Sequence, residues 1–574
     1  MARDENRASC ERGRNVVLVE EPTCSAVGDD RPSAADERPC RSLHVGGEPG
    51  VDAVSTELVA DRGRRCVAAD APDDCGSCTE SRRGGDGGVD GNAARADGDR
   101  RVDDFVQLQS RKHDVEHHLA DRDEIVFHDH EHRIEEDARV TREPFLAVGN
   151  GDDEIDDAEL ERQLERVVEA IVGGGAERVL IAPPDHTRLY SRGGQITALL
   201  DQALRGNGIH ADVMPALGTH RPLGESQCRL LFGDAIGVDR ILEHRWRDDV
   251  VTVGEISADE VAEVAGLDLG LSLPLMVNSS LVDGRYDLVI APGQVVPHEV
   301  AGFGGYTKHL CIGLGGRETI HRSHFISAMC GIEETMGRFD APVRVLLNRA
   351  FDEFLEPRCR ALFVLTVVDD RAGKDRLRGL FVGEGGTTSA GGGAFVAAAS
   401  LAASLNVTTV AAPYEVCVAY MNPLEFHSTW LANKAIYRMR LAMADGGELV
   451  VLAPGVDRFG EDAQVDSLIR RHGYRGRDAA LAAVGADTDL AGNLAAAAHL
   501  VHGSTEGRFR VRYCPGPELT RADIESVGFE YISPEEVDAR FGAGLDQAAG
   551  TLRDADGFEF VVIPNAGLGL WRRA

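Results

Sequence analysis

Lysine occurs only four times in this 574-residue chain, at positions 112, 308, 374 and 434, against 57 arginines. An amine can shed its proton and become a nucleophile, whereas a guanidinium stays charged, so a retained lysine is a candidate for covalent chemistry. Lys308 closes the segment His298-Glu-Val-Ala-Gly-Phe-Gly-Gly-Tyr-Thr-Lys308 and precedes His324 by sixteen residues. Asp185-His-Thr-Arg188 and Gly218-Thr-His220-Arg-Pro222 add a carboxylate, a cation and another histidine. Histidines with a carboxylate partner suit proton transfer near neutral pH, or ligation of a metal ion. Gly304 and Gly305 would let the backbone approach a bulky ligand and offer amides to a phosphate. Neither GxxxxGK[ST] nor a GxGxxG between strand and helix is present, so the stretch is no standard phosphate loop.

The elements that must position these groups alternate between helix and strand. Leu160, Leu164, Val167, Val168 and Ile171 recur at helical spacing and are ended by three glycines at 173–175. Short apolar runs at 178–182, 211–217 and 286–292 read as buried parallel strands, with a helix at 195–204 between the first two. Each strand empties into a polar loop: Asp185 and Arg188, then His220, then His298. In an open α/β sheet that carboxyl edge is where ligands bind. Further strands are predicted at 361–368, 407–412, 448–453 and, as a last edge strand, 558–563, with an alanine-rich helix at 391–405. The fold class is therefore α/β: two α/β domains, 144–400 and 401–574, with an active-site cleft between them.

In their order and spacing, Asp185-His-Thr-Arg188, Gly218-Thr-His220-Arg-Pro222 and His298-x9-Lys308-x15-His324 resemble the nickel-dependent lactate racemase family from about Pro144 to the C-terminus. The resemblance implies a nickel-pincer nucleotide, a pyridinium-3-thioamide-5-thiocarboxylate mononucleotide joined to Lys308, and His324 as the protein ligand to nickel. It also implies His220 and His298 as an acid/base pair on opposite faces of C2 in a small 2-hydroxy acid. Asp185 would orient a histidine, Gly304 and Gly305 would lie against the cofactor, and Arg188 and Lys434 would hold a carboxylate or a phosphate. Cofactor-biosynthesis enzymes would be partners. Leu431 stands where lactate-specific members carry a glutamine, which leaves open lactate and a different or larger acid, a sugar acid included. Two other readings remain: a zinc or iron hydrolase with His220, His298 and His324 as ligands, which gives Lys308 no role, and a small-molecule binding protein that has lost the cofactor.

Composition bounds the partners. A formal net charge of −34, with little lysine and 5% aromatic residues, disfavours nucleic acid and anionic membranes and suits a high-salt cytoplasm where self-repulsion is screened. No apolar run approaches membrane-spanning length and the N-terminus lacks a signal-peptide core, so a soluble cytoplasmic protein is expected. Residues 1–143 hold 34 acids, 21 bases and two aromatics, Phe105 and Phe127. That segment reads as a disordered extension, or as the product of a misplaced start codon. Its single CxxC, Cys75 to Cys78, and the six histidines from His113 to His132 read as parts of a solvated charged tail rather than a metal site. The later cysteines show no pairing logic and read as reduced thiols.

Overall fold

The computed structural model describes residues 143–369, 375–385 and 392–574, which lie within one compact unit. The expectations placed on residues 1–142, the CxxC and the histidine-rich stretch among them, fall outside the described residues.

Strands Leu146–Val148 (β1), Arg178–Ile181 (β2), His210–Val213 (β3), Leu288–Gln294 (β4), Ala361–Asp369 (β5) and Arg376–Glu384 (β6) form a sheet in the order β1-β6-β5-β4-β2-β3. β5, β4, β2 and β3 are parallel, with Val179 opposite both Leu288 and Ala211. β6 and β1 add antiparallel pairings at one edge. Helices Asp157–Gly173 (α1) and Gly193–Gly206 (α2) cover one face, where Leu160, Leu164, Val167 and Leu200 meet Val179, Ile181 and Val364. α1 begins where the Asp156 carboxylate accepts the Glu159 N–H at 2.8 Å, and it buries the five apolar residues whose spacing predicts it. The other face is covered by Thr307–Cys311 (α3), Arg317–Cys330 (α4) and Gly393–Asn406 (α5).

Tyr414–Tyr420 (β7), Met443–Ala453 (β8), Arg510–Pro515 (β9), Glu530–Tyr531 (β10), Gly550–Arg553 (β11) and Glu559–Ile563 (β12) form a second sheet in the order β10-β9-β8-β7-β12-β11. Three short helices of this half bear on the cavity described below: Thr429–Ala432 (α6), Lys434–Met439 (α7) and Leu494–His502 (α8). One apolar core runs continuously from Leu180 and Phe363 of the first sheet to Cys417 and Val451 of the second.

The α/β expectation is met, and several elements differ from the sequence reading: the strand expected over 407–412 ends at Val410, and the one expected over 448–453 begins at Met443. The strand expected over 211–217 ends at Val213 because Pro215 follows, leaving a single bridge from Pro184 to Ala216. The strand expected over 286–292 begins at Leu288, since the Asp287 carboxylate is occupied in accepting the Glu177 and Arg178 N–H groups at 2.9 and 2.8 Å. The strand near 558–563 is not an edge strand: β12 is flanked by β7 and β11, and Leu570–Arg573 follows it. Cys228, Cys311, Cys330, Cys359, Cys417 and Cys514 are free thiols. Among the described residues no helix is long and apolar enough to cross a membrane.

Candidate active site

Strand order reverses between β4 and β2, since β3 lies to one side of β2 and β4 to the other. Loops diverge at such a switch point and leave a crevice at the carboxyl edge. Asp185, three residues beyond the Ala182 that follows β2, caps the turn His186–Ser191: its Oδ1 accepts from Thr187 N at 3.1 Å and Thr187 Oγ1 at 2.7 Å. Its other oxygen is hydrogen-bonded to His220 Nδ1, carried in by the loop after β3. That loop is tied to the segment beyond Lys308, with Gly218 N donating to the Gly313 carbonyl at 2.8 Å.

The loop after β4 folds into a two-residue hairpin, Pro297–His298 against Gly302–Phe303, and returns along β4 so that Lys308 comes back beside His298. The return requires Gly305, whose φ is +73° and whose missing Cβ would lie 3.1 Å from the Gln294 carbonyl. Fully buried Arg344 holds the hairpin from behind, donating to the carbonyls of Phe303 at 2.5 Å and Gly305 at 3.3 Å and to Thr307 Oγ1 at 2.9 Å. His309 Nε2, hydrogen-bonded to the Ala182 carbonyl at 2.8 Å, pins α3 to the end of β2. His324 lies on α4, with Nδ1 on the Ile320 carbonyl at 2.6 Å. α6, α7 and α8 supply the facing wall.

All ten sequence-predicted residues line this one cavity: Asp185, Arg188, His220, His298, Gly304, Gly305, Lys308, His324, Leu431 and Lys434. Their charges differ from those of free side chains. Burial lowers Lys308 to about 8, and the Arg188 guanidinium adds to the effect. Burial and Arg188 also lower Lys434, while burial raises the carboxyl of its neighbour Glu425. Burial likewise opposes the charged forms of Asp185 and His220, but their mutual attraction wins, so His220 is raised and Asp185 is held below the usual carboxylate range. Burial pushes His298 well below its ordinary value and His324 to about 4.

The two acid/base candidates are unequal. His220 presents Nδ1 to a carboxylate, which leaves Nε2 as the acceptor. His298 Nδ1 accepts the Val300 N–H at 3.0 Å, so a neutral ring carries its proton on Nε2 and is a donor.

Residues 149–337, which contain eight of the ten, match the lactate racemase N-terminal domain. That segment is thus similar to the N-terminal domain of lactate racemase. The chain also resembles two solved structures. A protein from Thermotoga maritima is 23% identical, with a TM-score of 0.63 over 74% of this chain and 100% of that one, a likeness of fold. The lactate racemase apoprotein from Thermoanaerobacterium thermosaccharolyticum is 16% identical, with a TM-score of 0.49 over 71% of this chain and 93% of that one. No curated protein matches the chain.

The cavity also contains residues the sequence did not point to. Gln294, Glu299, Trp430, Tyr437, His499 and His502 all line it. His499 and His502 sit in the alanine-rich run of α8, where a histidine reads as a packed helix residue, and only tertiary structure turns them toward α4. His499 is bridged by hydroxyls, Tyr437 to Nδ1 and Tyr474 to Nε2, each at 2.8 Å. Among the described residues no three His, Cys, Asp or Glu side chains gather closely enough to hold an ion by themselves. His220, His298 and His324 are thus not the three-ligand site that the hydrolase reading requires.

Proposed function

We propose that the chain is a racemase or epimerase inverting C2 of a 2-hydroxy acid with a nickel-pincer nucleotide joined to Lys308. The reading is carried by the meeting, in one cavity, of a buried lysine amine, a histidine with an uncommitted nitrogen and an aspartate-backed histidine. The donor set suits the group. With its pKa near 8, the Lys308 amine is partly unprotonated at neutral pH, the form needed to make a thioamide. His324, its Nδ1 committed to the Ile320 carbonyl, keeps Nε2 free and would hold the nickel through it. When bound, the group supplies a hydride acceptor that also returns the hydride.

The remaining work falls to the chain. Arg188 and Lys434 neutralise the substrate carboxylate or the nucleotide phosphate. His220 takes the hydroxyl proton at Nε2, and Asp185 stabilises the imidazolium that forms. His298, neutral and protonated on Nε2, donates a hydrogen bond to the substrate oxygen, and the proton taken up by His220 is the one returned to that oxygen.

Co-expression with cofactor-biosynthesis enzymes tests the reading by intact mass and by chiral chromatography of pure 2-hydroxy-acid enantiomers. An adduct of one mononucleotide and inversion of configuration are expected, both lost in Lys308→Arg. Inversion that survives Lys308→Arg overturns the tether, and adduct-bearing protein that inverts no 2-hydroxy acid overturns the reaction.

A further inference from the structure

We infer that the substrate is a polyhydroxy acid, and that Gln294 and His502 bind its oxygens beyond C2. This rests on the proposed 2-hydroxy-acid chemistry and adds the substrate's class. A lactate-sized acid has one carboxylate and one hydroxyl, which Arg188 and Lys434 with His220 and His298 can satisfy in full. Three more polar atoms without a hydrogen-bond partner belong to residues lining the same cavity: Glu299 Oε2, which lies 3.6 Å from His298 Nδ1, and Gln294 Nε2 and His502 Nε2, on residues only 5% and 4% exposed. Folded proteins pair nearly all such atoms, so Gln294 and His502, two neutral side chains at one cavity, point to a ligand as their partner.

They approach from opposite walls, Gln294 as the last residue of β4 and His502 as the last of α8. A long substrate can touch both. The His502 ring stands edge-on to Tyr437 at 5.8 Å, and the Tyr437 hydroxyl is taken by His499. A site built to bond a hydroxyl discriminates strongly against an analogue that lacks it, because its own polar groups are then left unpaired.

Calorimetry on the cofactor-free protein, with gluconate as the polyhydroxy acid and lactate as the short one, tests this without relying on turnover. Gluconate should bind at least about tenfold more tightly, the factor one well-made hydrogen bond confers. Gln294→Leu and His502→Phe should each weaken gluconate by about tenfold and leave lactate unchanged. His502→Gln, which keeps a polar atom, should weaken it less, and serves as the test if the phenylalanine variant does not fold. Tighter binding of lactate by the unaltered protein, or equal losses for both acids in the variants, overturns the inference. So does loss of the mononucleotide adduct in either variant after co-expression, which would assign the two groups to the cofactor. The binding preference is read in the apoprotein, so failure to acquire an adduct counts against the proposed function and not against this inference.

Discussion

Asp185 does two things for His220: it fixes which nitrogen carries the proton, and it raises the ring's affinity for a second one. Asp185→Asn keeps the size and the turn cap but removes the charge, so burial is opposed at His220 only by the weaker pull of Glu461 and its pKa falls. A histidine NMR titration of the apoprotein should show that fall. In loaded enzyme kcat should drop by roughly 10²–10⁴-fold, as expected when a catalytic histidine loses its carboxylate. The acid limb of its pH profile should also move to lower pH, because the base stays unprotonated further down. An unmoved titration would leave Asp185 as a cap alone. At this scale the sequence was informative on one side only. Asp185, His220, His298 and Lys308 follow strands in short loops and are reactive types in a lysine-poor chain. Gln294 ends an apolar strand, and Tyr437, His499 and His502 lie on helices whose neighbours are apolar, so nothing local distinguishes them from core.

The hairpin that brings Lys308 back beside His298 depends on an element remote in sequence. Arg344, on Pro342–Ala350, is a buried cation whose partners here are neutral carbonyls and a hydroxyl. Arg344→Met fills much of the space but strands those acceptors, at about 1–3 kcal/mol for each one left unpaired. A lower melting temperature is expected, together with reduced adduct formation at Lys308, whereas an unchanged melting temperature would show that the hairpin holds itself. The parallel strands β2, β3, β4, β5 and β8 were legible as apolar runs because both of their faces are covered. β1, β6, β7 and β9 escaped the sequence reading. β6 and β9 interleave arginine with apolar residues, and their partners are set by register rather than by local pattern.

At the scale of the molecule, buried histidines set the response to acid. Burial lowers His244, His309 and His502 to about 4 and His499 to about 3, against an ordinary value near 6.5. The unfolded chain therefore binds more protons between those limits. The stability these groups permit is complete above about pH 6.5 and is lost as pH falls toward 4. By pH 5 each costs on the order of 2 kcal/mol. Calorimetry should find a much lower melting temperature at pH 5 than at pH 7; equal values would mean these rings gain protons without unfolding. The charge of −34 predicts the complementary result, a melting temperature that rises with potassium chloride as repulsion is screened. The order of the chain adds a consequence of its own. β6 closes the first sheet at Glu384, and by then every group from Asp185 to His324 has been synthesised, whereas α6, α7 and α8 span residues 429–502. Protein chains fold from the N-terminus as they leave the ribosome. The lysine-bearing crevice is thus an open surface on the nascent chain, and the wall bearing Lys434 and His502 is built over it last.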